Sequence, residues 1–148
     1  MTRFEAWLLH LSNLMVGATG LVYAWLRYFA EPPDPFAVAH PWLAPVQHAH
    51  VWTAPLLVFA VGAIWRTHAV AGLRLGARPR RSSGLALVAA FAPMAASGYL
   101  LQTAVDPSWR RIWLALHLGA SGLWVIATLA HQIARRGVAT SRLNDTTS

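Results

Sequence analysis

Cysteine is absent from this chain. Without thiolates there is no disulfide, no Cys-ligated iron–sulfur cluster, no thiolate zinc site and no covalent c-type haem attachment. The absence leaves the compartment open, because a membrane bundle needs no disulfide staples. Charge is also scarce. Asp, Glu, Lys and Arg make up 11% of the 148 residues, against roughly 25% in an ordinary soluble domain. Acids are scarcest, 5 against 12 Lys+Arg. Glu5, Glu31, Asp34 and Asp106 all lie at ends of apolar runs or between them, so the intramembrane acids common in proton or cation pathways are missing. No nucleophile–base set, phosphate-binding loop or pair of catalytic carboxylates stands out, which argues against hydrolysis and group transfer.

What the chain has instead is apolar length. Hydrophobic residues make up 56%, too many for one domain of this size with a wet exterior. A bilayer core takes about 20 predominantly apolar residues to cross. Four segments reach that length, at about residues 6–29, 45–65, 84–103 and 109–134. No repeat period marks a solenoid or propeller. The connections are "EPPDPFAVAHPW", a proline-rich acidic loop, "RTHAVAGLRLGARPRRSS", a dense basic loop, and the short turn "DPSWRR". Residues 1–136 form one four-span domain on this reading, and residues 137–148 a flexible tail.

The formal charge of +7 raises nucleic acid as a partner. The arginines, however, sit at the ends of the apolar runs, where topology signals and lipid headgroup contacts put them, so no nucleic acid is expected. Trp42, Trp65, Trp109 and Trp113 cluster at the same ends, as an aromatic belt does. The basic Arg66–Arg81 loop and the Arg135–Arg142 tail belong on the cytoplasmic side, together with the N-terminus. Arg110 and Arg111 dissent, but their turn is short. The first run is too long for a signal h-region, and Glu5 and His10 interrupt it, so a retained helix is expected. The predicted fold is all-α, an up-down-up-down four-helix membrane bundle with both termini cytoplasmic.

The fourth run carries an imidazole at each end, in "HLGASGLWVIATLAH", residues 117–131. Fourteen residues of helix are four turns less about 40°, so His117 and His131 share a face about 21 Å apart along the axis. Ionisable groups at such depth usually face the interior with a partner. Imidazoles hold haem b iron axially, and two on one helix would carry one haem near each surface. Each haem needs a second ligand at matching depth. His10 lies early in the first run, level with His131, and His50 and His48 lie early in the second, level with His117. His48 and His50 are about 200° apart and cannot both face the interior. Ala54, one turn beyond His50, leaves room for a macrocycle, whereas Trp52 crowds His48, so His50 is favoured and His48 is the alternative. The H-x-H pair could also bind copper or zinc at the outer surface.

Haem propionates need cations near each surface. Arg27, Arg110 and Arg111 are available outside, and Arg3, Arg66 and Arg135 inside. Gly17, Gly20, Gly62, Gly98, Gly119 and Gly122 allow a backbone or a porphyrin to approach closely. His68 stands 18 residues after His50 and is read as an interfacial histidine, with a contact to an inner quinone as its functional version. His40, before Pro41, is expected in solvent.

One ligand on each of the first two helices, none on the third and two spaced by fourteen on the fourth resembles the four-helix di-haem cytochromes b. These include the membrane subunits of formate dehydrogenases and hydrogenases and the small bacterial quinone-linked cytochromes b. The resemblance covers all four runs, from His10 to His131. It implies a multi-pass protein of the inner (plasma) membrane carrying two haems b. His10 and His131 would hold the inner iron, and His50 and His117 the outer one. It also implies electron transfer between a quinone pool and a redox partner protein, as the electron-transfer part of an oxidoreductase. Gln102, near the outer end of the third run, could not share an inner quinone site with His68. Two other classes compete: a haem-free structural or assembly subunit, and a small His-based metal carrier.

Overall fold

The computed structural model describes residues 2–75 and 81–145. Those residues are helical with short connections, and none of them lies in a strand. Helix α1 spans Arg3–Tyr28 and α2 spans Leu43–Ile64; a π-helical turn follows at Trp65–Val70, then a short α3 at Ala71–Leu75. Helix α4 spans Arg81–Thr103 and α5 spans Pro107–Asp145. Among the described residues four stretches are long and apolar enough to cross a membrane: Arg3–Tyr28, Leu43–Val70, Ser82–Thr103 and Pro107–Ile133.

Local chemistry explains the ends. The Thr2 hydroxyl accepts from the Glu5 amide and the Glu5 carboxylate accepts from the Thr2 amide, a reciprocal capping box that opens α1. The Glu31–Pro33 stretch cannot extend α1, because proline lacks the amide and disfavours helix in the residue before it. Helix α5 opens on Asp106, whose carboxylate accepts from the amides of Ser108 and Trp109. Pro107 then occupies the first helical position, where a missing N–H costs nothing.

One expectation changes. The basic segment after Trp65 is not simply a loop. Helix continues through the π turn to Leu75, since nothing before Gly76 except Gly72 disfavours it. Residues 76–80 of that segment, with Arg78 and Arg80, lie outside the described residues, and its last three residues open α4. Helix α5 runs on past residue 136 to Asp145, with Gly137 to weaken it and no proline to stop it.

The chain divides into two compact units, residues 1–65 and 66–148. In the first, α1 packs on α2; in the second, α4 packs on α5 and α3 on α4. Leu57, Ala60, Val61 and Ile64 are buried on α2, and Ser12 on α1. On the second unit Ala90, Met94 and Ser97 of α4 and Ala120, Trp124 and Ala127 of α5 are buried. The small residues let the backbones approach, as in membrane helix pairs. Outside lie large apolar side chains: Leu14, Leu21, Phe59, Ile126 and Ile133 are each about two-thirds exposed. Water would penalise so much uncovered apolar surface, whereas lipid tails match it. The chain is a helical membrane protein.

Candidate functional site

Three histidines rest against a hydroxyl residue followed by glycine on a neighbouring helix. In the first unit His50 of α2 lies against α1. Its Nδ1 is 3.1 Å from the Val16 carbonyl oxygen and 3.2 Å from the Thr19 hydroxyl. The Thr19 hydroxyl itself donates back to the Met15 carbonyl at 2.7 Å. A Cβ on Gly20 would sit 2.9 Å from His50 Cε1, closer than real contacts allow. Only glycine leaves the ring that place.

The second unit repeats the arrangement. His117 Nδ1 of α5 is 3.0 Å from the Met94 carbonyl oxygen and 3.4 Å from the Ser97 hydroxyl. The Ser97 hydroxyl donates back to the Pro93 carbonyl at 2.5 Å. A Cβ on Gly98 would stand 3.0 Å from His117 Cε1. The carbonyl, the hydroxyl and the glycine therefore fall at positions i, i+3 and i+4 in both helices: Val16, Thr19, Gly20 and Met94, Ser97, Gly98. That spacing puts the three groups on adjacent turns of one face.

A carbonyl oxygen can only accept, so Nδ1 carries the proton in both His50 and His117. In a neutral imidazole the lone pair then resides on Nε2, the nitrogen able to ligate a metal. Metal-bound histidines characteristically donate their other N–H to a carbonyl or carboxylate, which fixes the ring and raises its basicity.

His131 has a related setting. Its Nδ1 is 3.0 Å from the Ser83 hydroxyl, and a Cβ on Gly84 would meet its Cε1 at 3.9 Å, an ordinary contact. The His68 ring, presented by the π turn, stands 6.3 Å from that of His131, centre to centre, with the planes perpendicular. Both rings are half-buried. Between His117 and His131 the Thr128 hydroxyl is buried with no hydrogen-bond partner.

Most of the other candidates are exposed. His10 and His48 lie on exposed parts of α1 and α2. His40 accepts from the Trp42 amide through Nδ1 at 3.2 Å, in the loop before α2. Arg3, Arg27 and Arg66 are exposed. Arg110 and Arg111 border an open groove with Pro107 and Leu114, and Arg110 donates to the Leu101 carbonyl at 3.4 Å. Gln102 is exposed at the end of α4. The side chain of Arg135 lies outside the described residues. Among the described residues no group of three or more His, Cys, Asp or Glu gathers as a metal cage; an axially held haem iron requires two.

The sequence showed the histidines and, in Gly20 and Gly98, part of their setting, but not the hydroxyls of Thr19, Ser83 and Ser97 or the place of Gly84. The signal was a Thr-Gly or Ser-Gly step at residues 19–20, 83–84 and 97–98. The two steps on α4 are fourteen residues apart, as His117 and His131 are on α5. Gly17, Gly62, Gly119 and Gly122 have nothing within 4 Å of a built Cβ, so they do not shape these cradles.

No family model, curated protein or solved structure matches this chain.

Proposed function

We propose that this protein is a membrane-embedded di-haem cytochrome b of the inner (plasma) membrane that relays electrons between a quinone pool and a redox partner protein. One observation carries the reading: His50 and His117 each give their Nδ1 proton to a backbone carbonyl beside a hydroxyl–glycine step. That leaves the lone pair on Nε2, the tautomer that metal-bound imidazoles commonly have. The glycines supply cradles that a Cβ would fill. The donor set, imidazole only, suits haem iron.

His50 and His117 are the proposed ligands of the outer haem, on the depth their sequence positions imply in an up-down-up-down topology with cytoplasmic termini. His131 anchors the inner one, with His10 the partner expected from spacing. Haem, when bound, supplies a one-electron Fe(III)/Fe(II) couple. The chain's own part is to hold the imidazoles, strengthen them as donors through Val16 and Met94, and surround them with apolar side chains that limit water. Arg27, Arg110 and Arg111 are the outer cations for propionates and Arg3, Arg66 and Arg135 the inner ones. His48 is the reserve ligand on α2.

The test is a haem count on the purified chain with His117→Ala and His131→Ala. Each substitution is expected to remove one haem of two. Retention of both haems in the two variants would refute the ligand assignment, and a colourless wild type would favour a haem-free assembly subunit.

A further inference from the structure

We infer that His68, on the π turn, is the second axial ligand of the inner haem iron opposite His131, in place of His10. The inference rests on the cytochrome reading above. Metal–imidazole bonds of about 2.0–2.1 Å, with roughly 1.1 Å from nitrogen to ring centre, put two trans imidazoles about 6.2–6.4 Å apart, centre to centre. The His68 and His131 rings are 6.3 Å apart. An ordinary edge-on ring contact covers a wider range, about 4.5–7 Å, so the distance needs company.

Two observations supply it. His131 is also held by Ser83, whose hydroxyl is 3.0 Å from Nδ1; the ring is oriented through one nitrogen, as a ligand's is. His68 sits within a π-helical turn, Trp65–Val70. Such i→i+5 turns are rare and recur at functional sites, because the extra residue re-aims the side chains around it. Here the turn presents a half-buried imidazole to a second half-buried imidazole. His10, by contrast, is exposed on α1.

The perpendicular ring planes add a spectroscopic signature. Two trans imidazoles at right angles donate into different iron d orbitals and leave them nearly degenerate. The oxidised low-spin haem then shows a strongly anisotropic electron paramagnetic resonance signal.

The experiment uses the full chain, expressed with ample haem and purified in detergent. Haem per chain is counted in wild type, His68→Ala, His10→Ala and His131→Ala, and the redox potentials are titrated in His68→Met. His68→Ala is expected to fall from two haems to one and to lose the same anisotropic signal as His131→Ala, while His10→Ala keeps two. His68→Met offers the iron a thioether, which holds haem and raises its potential, so that variant is expected to keep two haems with one potential shifted upward. The proposal is overturned if His10→Ala loses a haem while His68→Ala keeps two. It is equally overturned if His68→Met leaves both potentials where they were. A wild type without haem would overturn the cytochrome reading itself, a result distinct from either.

Discussion

A single methyl group on α1 should dislodge His50. The perturbation is Gly20→Ala. Its Cβ would lie 2.9 Å from His50 Cε1, whereas ordinary contact begins near 3.4 Å, so the ring must retreat by about half an ångström. His50 Nδ1 stands 3.1 Å from the Val16 oxygen and 3.2 Å from the Thr19 hydroxyl. A retreat of that size along these contacts carries them to about 3.6 and 3.7 Å, where neither is a hydrogen bond. The loss is about 1 kcal/mol per bond, with overpacking of about 1–3 kcal/mol when the ring cannot move freely. Helix propensity returns only about 0.5–1 kcal/mol. With its orienting bond gone, the ligand should hold metal about 10–100-fold more weakly. Gly17→Ala is the matched control, one turn away with nothing within 4 Å; it should be neutral or gain about 0.5–1 kcal/mol. The assay is haem per chain and thermal unfolding in detergent for both variants. If Gly20→Ala kept its haem and melted like Gly17→Ala, the cradle argument would be wrong.

Three further outcomes are expected. Gly98→Ala should repeat the effect at His117, because a Cβ there would be 3.0 Å from Cε1 and 3.2 Å from Nδ1; a haem count equal to wild type would contradict it. Thr128→Val removes a buried hydroxyl that has no partner, and should leave the haem count unchanged while stabilising the fold by about 1 kcal/mol in a detergent melt; a lower melting temperature would mean the hydroxyl is used. Ile126→Asp places a carboxylate on a side chain 67% exposed within a candidate span, at a cost of about 2.5–3.5 kcal/mol at the helix centre. Membrane-fraction yield should fall sharply, and an unchanged yield would place that face away from lipid.

The membrane helices were legible because apolar length is a property of the chain alone. Their boundaries were less legible: the fourth run was read from about residue 109, whereas the Asp106 cap opens its helix at Pro107. The π turn was not legible. Nothing in "WRTHAV" distinguishes it from a loop or an α-helix, since the choice depends on what the turn packs against. The histidines were legible one by one, and the spacing from His117 to His131 as a pair. Their neighbours were not. A 3.6-residue period says which residues of one helix share a face, but not which helix lies opposite. Gly17 and Gly20 were therefore equivalent on paper, whereas only Gly20 meets an imidazole. The Ser83–Gly84 step passed unnoticed because it lies at the basic start of α4, where loop signals dominate.

The most direct test is a reduced-minus-oxidised optical spectrum of the purified full chain, with haem counted per chain as the pyridine haemochrome. Two b-type haems per chain are expected. A colourless protein, from cells shown to have ample haem, would contradict the account and leave the histidine cradles as helix-packing contacts.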